Sequence, residues 1–228
     1  MNGGTLTVVP TPIGNLGDMT SRALEVLKSV HAVWAEDTRT TGKLLRHFGV
    51  DTPVRAFHQH NEHKLVSGVV DQLQAGMNFA LCSDAGTPGI SDPGFLLVRA
   101  CIEAGVRVEC LPGATAFVPA LVLSGLPCDR FYFEGFLPHK KGRQKRLQAI
   151  LGMPCTVVLY ESPHRVAKLF DQLVECGASD RAASVSREIS KLHEETIRGS
   201  VADVVQHFQH VTPRGEYVVV LAGNSSLS

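Results

Sequence analysis

A two-domain α/β protein is what this sequence predicts, and three observations predict it. Short β-branched runs alternate with helical stretches of roughly 10 to 14 residues, most runs open into a polar or glycine-rich loop, and the pattern restarts after an interruption near residue 126. The 228 residues suit one large domain or two smaller ones. We place the boundary so that 1–126 form an amino-terminal α/β domain and 127–228 form a second one that restarts the pattern.

The elements follow in order. Leu6-Thr7-Val8-Val9 reads as a strand ended by Pro10, and Ser21 to Val30 sets Ala23, Leu24, Leu27 and Val30 on one helical stripe. Ala32 to Ala35 is a second strand with Glu36 and Asp37 at its tip. Helices follow over Gly42–Phe48 and Glu62–Gln74, stopped by Gly49 and Gly76. Phe79–Cys82 is a strand, Phe95–Ala104 a helix stopped by Gly105, and Val106–Leu111 a strand. A helix from Ala114 ends near Gly125, and the aromatic segment Phe131-Tyr132-Phe133 begins the second half. There we expect a helix over Gln144–Leu151, a strand Thr156–Tyr160, a helix Val166–Cys176, a strand Ala182–Ser186, a helix Val201–Phe208 and a strand Tyr217–Leu221. Both halves are read as largely parallel sheets.

Composition limits the function classes. Twenty-two basic residues balance 22 acidic ones, so no global positive field exists and any nucleic-acid partner must be met by a local patch. The six cysteines are widely spaced without a C-x-x-C pair, which suits reduced thiols and a cytoplasmic location. Neither a secretion signal nor an apolar run of 18 residues occurs, so membrane spanning is not expected.

The densest chemistry lies in Ser83 to Gly94, where three glycines, two prolines and the carboxylates Asp84 and Asp92 follow a strand. Ligands of α/β sheets sit at the carboxyl ends of strands, and glycines let backbone amides approach them. Pro10 to Gly17 makes a second such loop, but its glycines fit neither G-x-G-x-x-G nor a P-loop, which excludes both phosphate-binding signatures. Glu36-Asp37-Thr38-Arg39-Thr40 offers carboxylates for proton transfer and a guanidinium whose fork fits phosphate; an N-cap and salt-bridge cluster is the competing reading. His58, His60 and His63 do not have the H-E-x-x-H spacing, so no metal is expected. Lys140, Lys141, Arg143, Lys145 and Arg146 put five cations in eight residues, enough to neutralise several phosphates, although a solvated helix start explains them equally. Tyr160 to Arg165 ends a strand and opens a helix whose amino terminus, with His164 and Arg165, suits an anion.

Taken together these loops resemble one family, the tetrapyrrole-methylase-like methyltransferases that use S-adenosylmethionine, and within it the branch acting on ribosomal RNA. Nine segments carry the resemblance in the family's order: Pro10–Leu16, Ala35–Arg39, His60–Glu62, Ser83–Gly94, Leu111–Gly113, Gly125–Pro127, Glu134–Pro138, Tyr160–Arg165 and Arg187-Glu188. The resemblance implies a homodimer whose protomers hold the cofactor in a cleft between two α/β domains. It also implies methylation of a cytidine ribose 2′-hydroxyl in small-subunit ribosomal RNA. Pro12, Asp84, Thr87, Ile90, Ser91, Thr115, Ala116 and Tyr160 are the residues it assigns to S-adenosylmethionine. Asp37 with Arg39 is the first choice for the catalytic pair, and Asp92 and Glu188 are competing carboxylates. Lys140, Lys141, Arg143, Lys145, Arg146, His164 and Arg165 are assigned to RNA. The sequence departs from the family in two places: it ends at Ser228, where longer members carry a further helical segment, and Arg214 stands where Lys is common. Two readings stay open, a methyltransferase for a tetrapyrrole or other small molecule, and a non-catalytic RNA-binding assembly factor.

Overall fold

The structure, a computed structural model, describes residues 3–224. It divides into two compact units that meet at Thr115 and Ala116. The sequence boundary after residue 126 lies further on, because the helix Phe117–Ser124 packs on strands of the second unit.

The first unit is built on strands β1 (Thr5–Val8), β2 (Ala32–Ala35), β3 (Val54–Ala56), β4 (Phe79–Cys82) and β5 (Arg107–Cys110). All pair in parallel, in the order β3-β2-β4-β1-β5. Four helices join them: α1 (Ser21–Ser29), α2 (Thr38–His47), α3 (Glu62–Gln74) and α4 (Phe95–Glu103). Successive strand residues point to opposite faces. Ala32, Trp34, Phe79 and Leu81 therefore pack with Leu73 of α3 and Leu97 of α4, whereas Val33, Ala80 and Cys82 pack with Leu27 of α1 and Leu45 of α2. Burial on both faces explains why β2 and β4 read as unbroken apolar runs.

This topology determines where a ligand fits. The adjacent strands β1 and β4 send their chains to helices on opposite faces, α1 on one and α4 on the other. Such a reversal opens a crevice at the strands' carboxyl ends. Thr11 and Gly86 bridge the two loops there, each N–H donating to the other's carbonyl at 2.9 Å.

The second unit begins with α5 (Phe117–Ser124) and carries β6 (Phe131–Phe136), β7 (Thr156–Glu161), β8 (Ala182–Arg187), β9 (Glu195–Ser200) and β10 (Tyr217–Leu221) in the order β6-β7-β10-β8-β9. Only β6 and β7 are parallel; the other pairs are antiparallel, which corrects the expectation of a second parallel sheet. The helices α6 (Arg143–Leu151), α7 (Val166–Glu175) and α8 (Val201–His210) cover its core, with Leu147, Phe170 and Val204 fully buried against Val157, Leu159 and Val219. Ser200 caps α8 in a reciprocal capping box with Asp203.

Candidate active site

The loop after β4 is shaped by conformations that ordinary side chains resist. Gly86 and Gly89 have φ of 82° and 84°. Gly94 has φ of 138°, and a Cβ there would lie 3.0 Å from Leu81 Cδ2. Ser91 is a non-glycine residue at φ 66°, a small local cost in the middle of the loop. Thr87 Oγ1 donates to the carbonyl of Ala114 at 3.2 Å, tying this loop to the segment after β5. Gly113 completes the arrangement, since a Cβ at that position would fall 2.6 Å from Pro10 Cβ.

Around these loops stand the carboxylates. Asp37 N-caps α2, its Oδ1 accepting from the Arg39 N–H at 2.8 Å, and the Arg39 guanidinium grips the same carboxylate at 2.6 Å. Those bonds hold Asp37 well below the usual carboxylate range. Asp37 is thus an N-cap whose carboxylate is tied to Arg39, a side chain that is 85% exposed.

Asp92 has the complementary character. Burial first, then the charges of Glu36 and Asp84, push it up to about 6 against a hydrogen bond with Ser83. Glu36 and Asp84 are also raised, each mainly by burial. Glu36 at the tip of β2 and Asp84 and Asp92 in the loop after β4 thus repel one another, and Asp92 is raised the furthest. The sequence places Glu36 beside Asp37 as a carboxylate for proton transfer, but its coupling to Asp84 and Asp92 depends on β2 and β4 being neighbours. Pro12 is half-buried in the β1 loop, while Ile90 and Ser91 are exposed beside Thr87.

The second unit holds the remaining candidates. Glu188, at φ 51°, accepts from Lys191 Nζ at 2.9 Å and from the Glu216 N–H at 3.0 Å. Burial would raise its pKa, but these bonds outweigh burial and lower it. Tyr160 on β7 packs its ring on Phe133 and Phe136, and Ala116 precedes α5. Of the cationic run, Lys140, Lys141 and Lys145 are exposed, as is His164. Arg146 is bound to Glu134 and to Tyr132 Oη.

Two of the RNA assignments are corrected. Arg143 is buried, and its guanidinium lies between Glu161, at 3.2 Å, and Gln172, at 2.9 Å. Arg165 pairs with the other oxygen of Glu161 at 2.7 Å. Both arginines face one fully buried carboxylate, which ties Arg143 into the core and engages Arg165, whose side chain is 19% exposed.

Fold and site define an α/β protein with a glycine-rich loop and crowded carboxylates at its topological switch point. Residues 5–205 match the family described as Tetrapyrrole (Corrin/Porphyrin) Methylases, and the chain belongs to that family. It is 50% identical over 96% of its length to a Synechocystis protein named Ribosomal RNA small subunit methyltransferase I, covering 79% of that relative. The Escherichia coli O157:H7 protein of the same name is 47% identical over 98% of this chain and 79% of its own. Among solved structures, a diphthine synthase superposes with a TM-score of 0.73 at 14% identity, covering 96% of this chain and 90% of that one. A Thermus thermophilus uroporphyrin-III-C-methyltransferase gives 0.65 at 20%, covering 96% and 94%. These likenesses establish the fold. The family's methyl donor is S-adenosylmethionine, and the loop fits it: the space beside Gly89 is open, and Asp84 and Thr87 present polar atoms beside exposed Ile90.

Proposed function

We propose that this chain methylates the ribose 2′-hydroxyl of a cytidine in small-subunit (16S) ribosomal RNA, working as a cytoplasmic homodimer. The observation that supports this reading is identity of 47 to 50% across nearly the whole chain to proteins named Ribosomal RNA small subunit methyltransferase I.

S-adenosylmethionine supplies an electrophilic methyl group with its leaving group built in. The chain's own residues have two further tasks, alignment and proton removal. Pro12, Asp84, Thr87 and Ile90 hold and orient the donor in the cradle of the first unit, with Ser91, Thr115, Ala116 and Tyr160 as its remaining contacts. Holding donor and hydroxyl in line supplies most of the advantage, since oriented partners react as if at very high concentration. Asp92 accepts the hydroxyl proton, supported by its upward shift to about 6. Asp37 and Arg39 position the ribose and its phosphate. Lys140, Lys141, Lys145 and His164 hold flanking phosphates.

Labelled S-adenosylmethionine, offered with small subunits, free ribosomal RNA and tetrapyrroles in turn, tests the assignment. Label is expected on a cytidine ribose. Label on a tetrapyrrole but never on RNA overturns it, and calorimetry without cofactor binding replaces it with the assembly-factor reading.

A further inference from the structure

A pocket of about 400 Å³ opens beside the β4 loop, along α2 from Thr40 to His47. Thr40, Lys43, Leu44 and His47 lie at the helical spacing i, i+3, i+4, i+7, so a single face of α2 forms one wall. Leu16 of the β1 loop contributes a second apolar side chain, and Asp84 brings the tip of β4 to the same space. Thr41, also lining it, is 2% exposed, and its Oγ1 has no hydrogen-bond partner among the described residues. A buried hydroxyl without a partner is costly, and one in a pocket's wall marks where a ligand atom would satisfy it.

We propose that this pocket receives one unstacked nucleotide of the RNA substrate. The inference rests on the functional reading above and deepens it by assigning a nucleotide subsite. The volume lies in the range of clefts that enclose small ligands, roughly 300 to 1,000 Å³, which suits one splayed-out nucleotide and is too small for a duplex. Each part of a nucleotide finds its chemistry. Lys43 and His47, both exposed, stand along α2 as donors for a phosphate. Leu16 and Leu44 offer apolar surface to a base. Thr41 Oγ1 and the Asp84 carboxylate accept hydrogen bonds, the second suiting an exocyclic amine such as that of cytosine. Asp84 also belongs to the donor cradle, so the nucleotide and the methyl donor share a boundary, as in-line transfer requires.

Thr41→Val and Lys43→Ala test the assignment, with Lys28→Ala on the exposed side of α1 as control. Valine keeps the shape, and the hydroxyl has no protein partner to lose, so a purely structural Thr41 predicts equal or higher thermal stability and unchanged kinetics. The nucleotide subsite instead predicts a KM for unmethylated small subunits raised about tenfold in Thr41→Val, with folding intact and S-adenosylmethionine affinity unchanged. Lys43→Ala lowers the salt slope of RNA binding by about 0.7, the share of one phosphate on single-stranded RNA. An unchanged KM in Thr41→Val overturns the proposal, as does a loss of cofactor affinity in its place. Absence of transfer by the unaltered chain overturns the functional reading and this one with it, whereas transfer that ignores both substitutions overturns only this one.

Discussion

The backbone N–H of Asp37 donates to Oδ1 of Asp84 at 3.1 Å, joining the tips of β2 and β4 across 47 residues of sequence. One carboxylate thereby fixes the start of α2 while the other faces the cradle. The cost is charge crowding, because Asp84 stands near both Glu36 and Asp92, whose pKa values it raises.

Asp84→Asn separates the bond from the charge. The amide oxygen still accepts from Asp37, and the repulsion with Glu36 and Asp92 is relieved, so the melting temperature at pH 7 should equal or exceed the parent's. Affinity for S-adenosylmethionine should fall about tenfold, as read by calorimetry, because a charged acceptor is replaced by a neutral one. Asp84→Ala, which loses the bond as well, should melt lower. Parental cofactor affinity in Asp84→Asn would remove the carboxylate from the donor site.

Local signals carried most of the fold. α3 and β4 have the limits read from the sequence, because Gly76 stops the one and four consecutive apolar residues make the other. α2 starts at Thr38 rather than Gly42, since three threonines disguise a helix whose start is secured by the Asp37 cap. β3 and β9 escaped the reading because the first has three residues and the second is the polar edge strand Glu-Thr-Ile-Arg-Gly-Ser. The antiparallel order of the second sheet was hidden for a different reason: strand direction depends on which distant strands pair, and residue pattern carries little of that. Arg143 shows the same limit in the site. Its sequence neighbours make it look like part of a basic surface, whereas the residue that decides its role, Glu161, lies 18 positions away.

The basic run therefore divides into two kinds of residue. Lys140→Ala, Lys141→Ala and Lys145→Ala combined should leave the melting temperature near the parent's and lower the salt slope of RNA binding by about 2, the share of three single-strand phosphate contacts. Arg143→Ala should unfold the second unit more readily, by about 2 kcal/mol, since buried Glu161 loses one of its two cationic partners and keeps only Arg165. Denaturant titration and filter binding at several salt concentrations distinguish the two. An unchanged slope in the triple variant would make the lysines a solvated surface.

The choice between Asp92 and Asp37 as the group that takes the proton is open to a pH experiment whose signs are set by their surroundings. Asp92 rises in the folded state from 3.8 to about 6, so the folded protein binds its proton more tightly than the unfolded chain does. Its contribution to stability is then fully present below pH 3.8 and is lost as the pH rises through about 6. Asp92→Asn abolishes that loss and should melt higher than the parent at pH 7. In single-turnover methyl transfer at saturating RNA and cofactor, the parent rate should climb through pH 6 as Asp92 ionises. Asp92→Asn should be about a hundredfold slower and flat across the same range. Asp37→Asn should keep the climb near pH 6, because the amide still caps α2 and Asp37 is already ionised throughout. A parental rate and pH limb in Asp92→Asn would mean that alignment alone drives the transfer and that bulk water takes the proton.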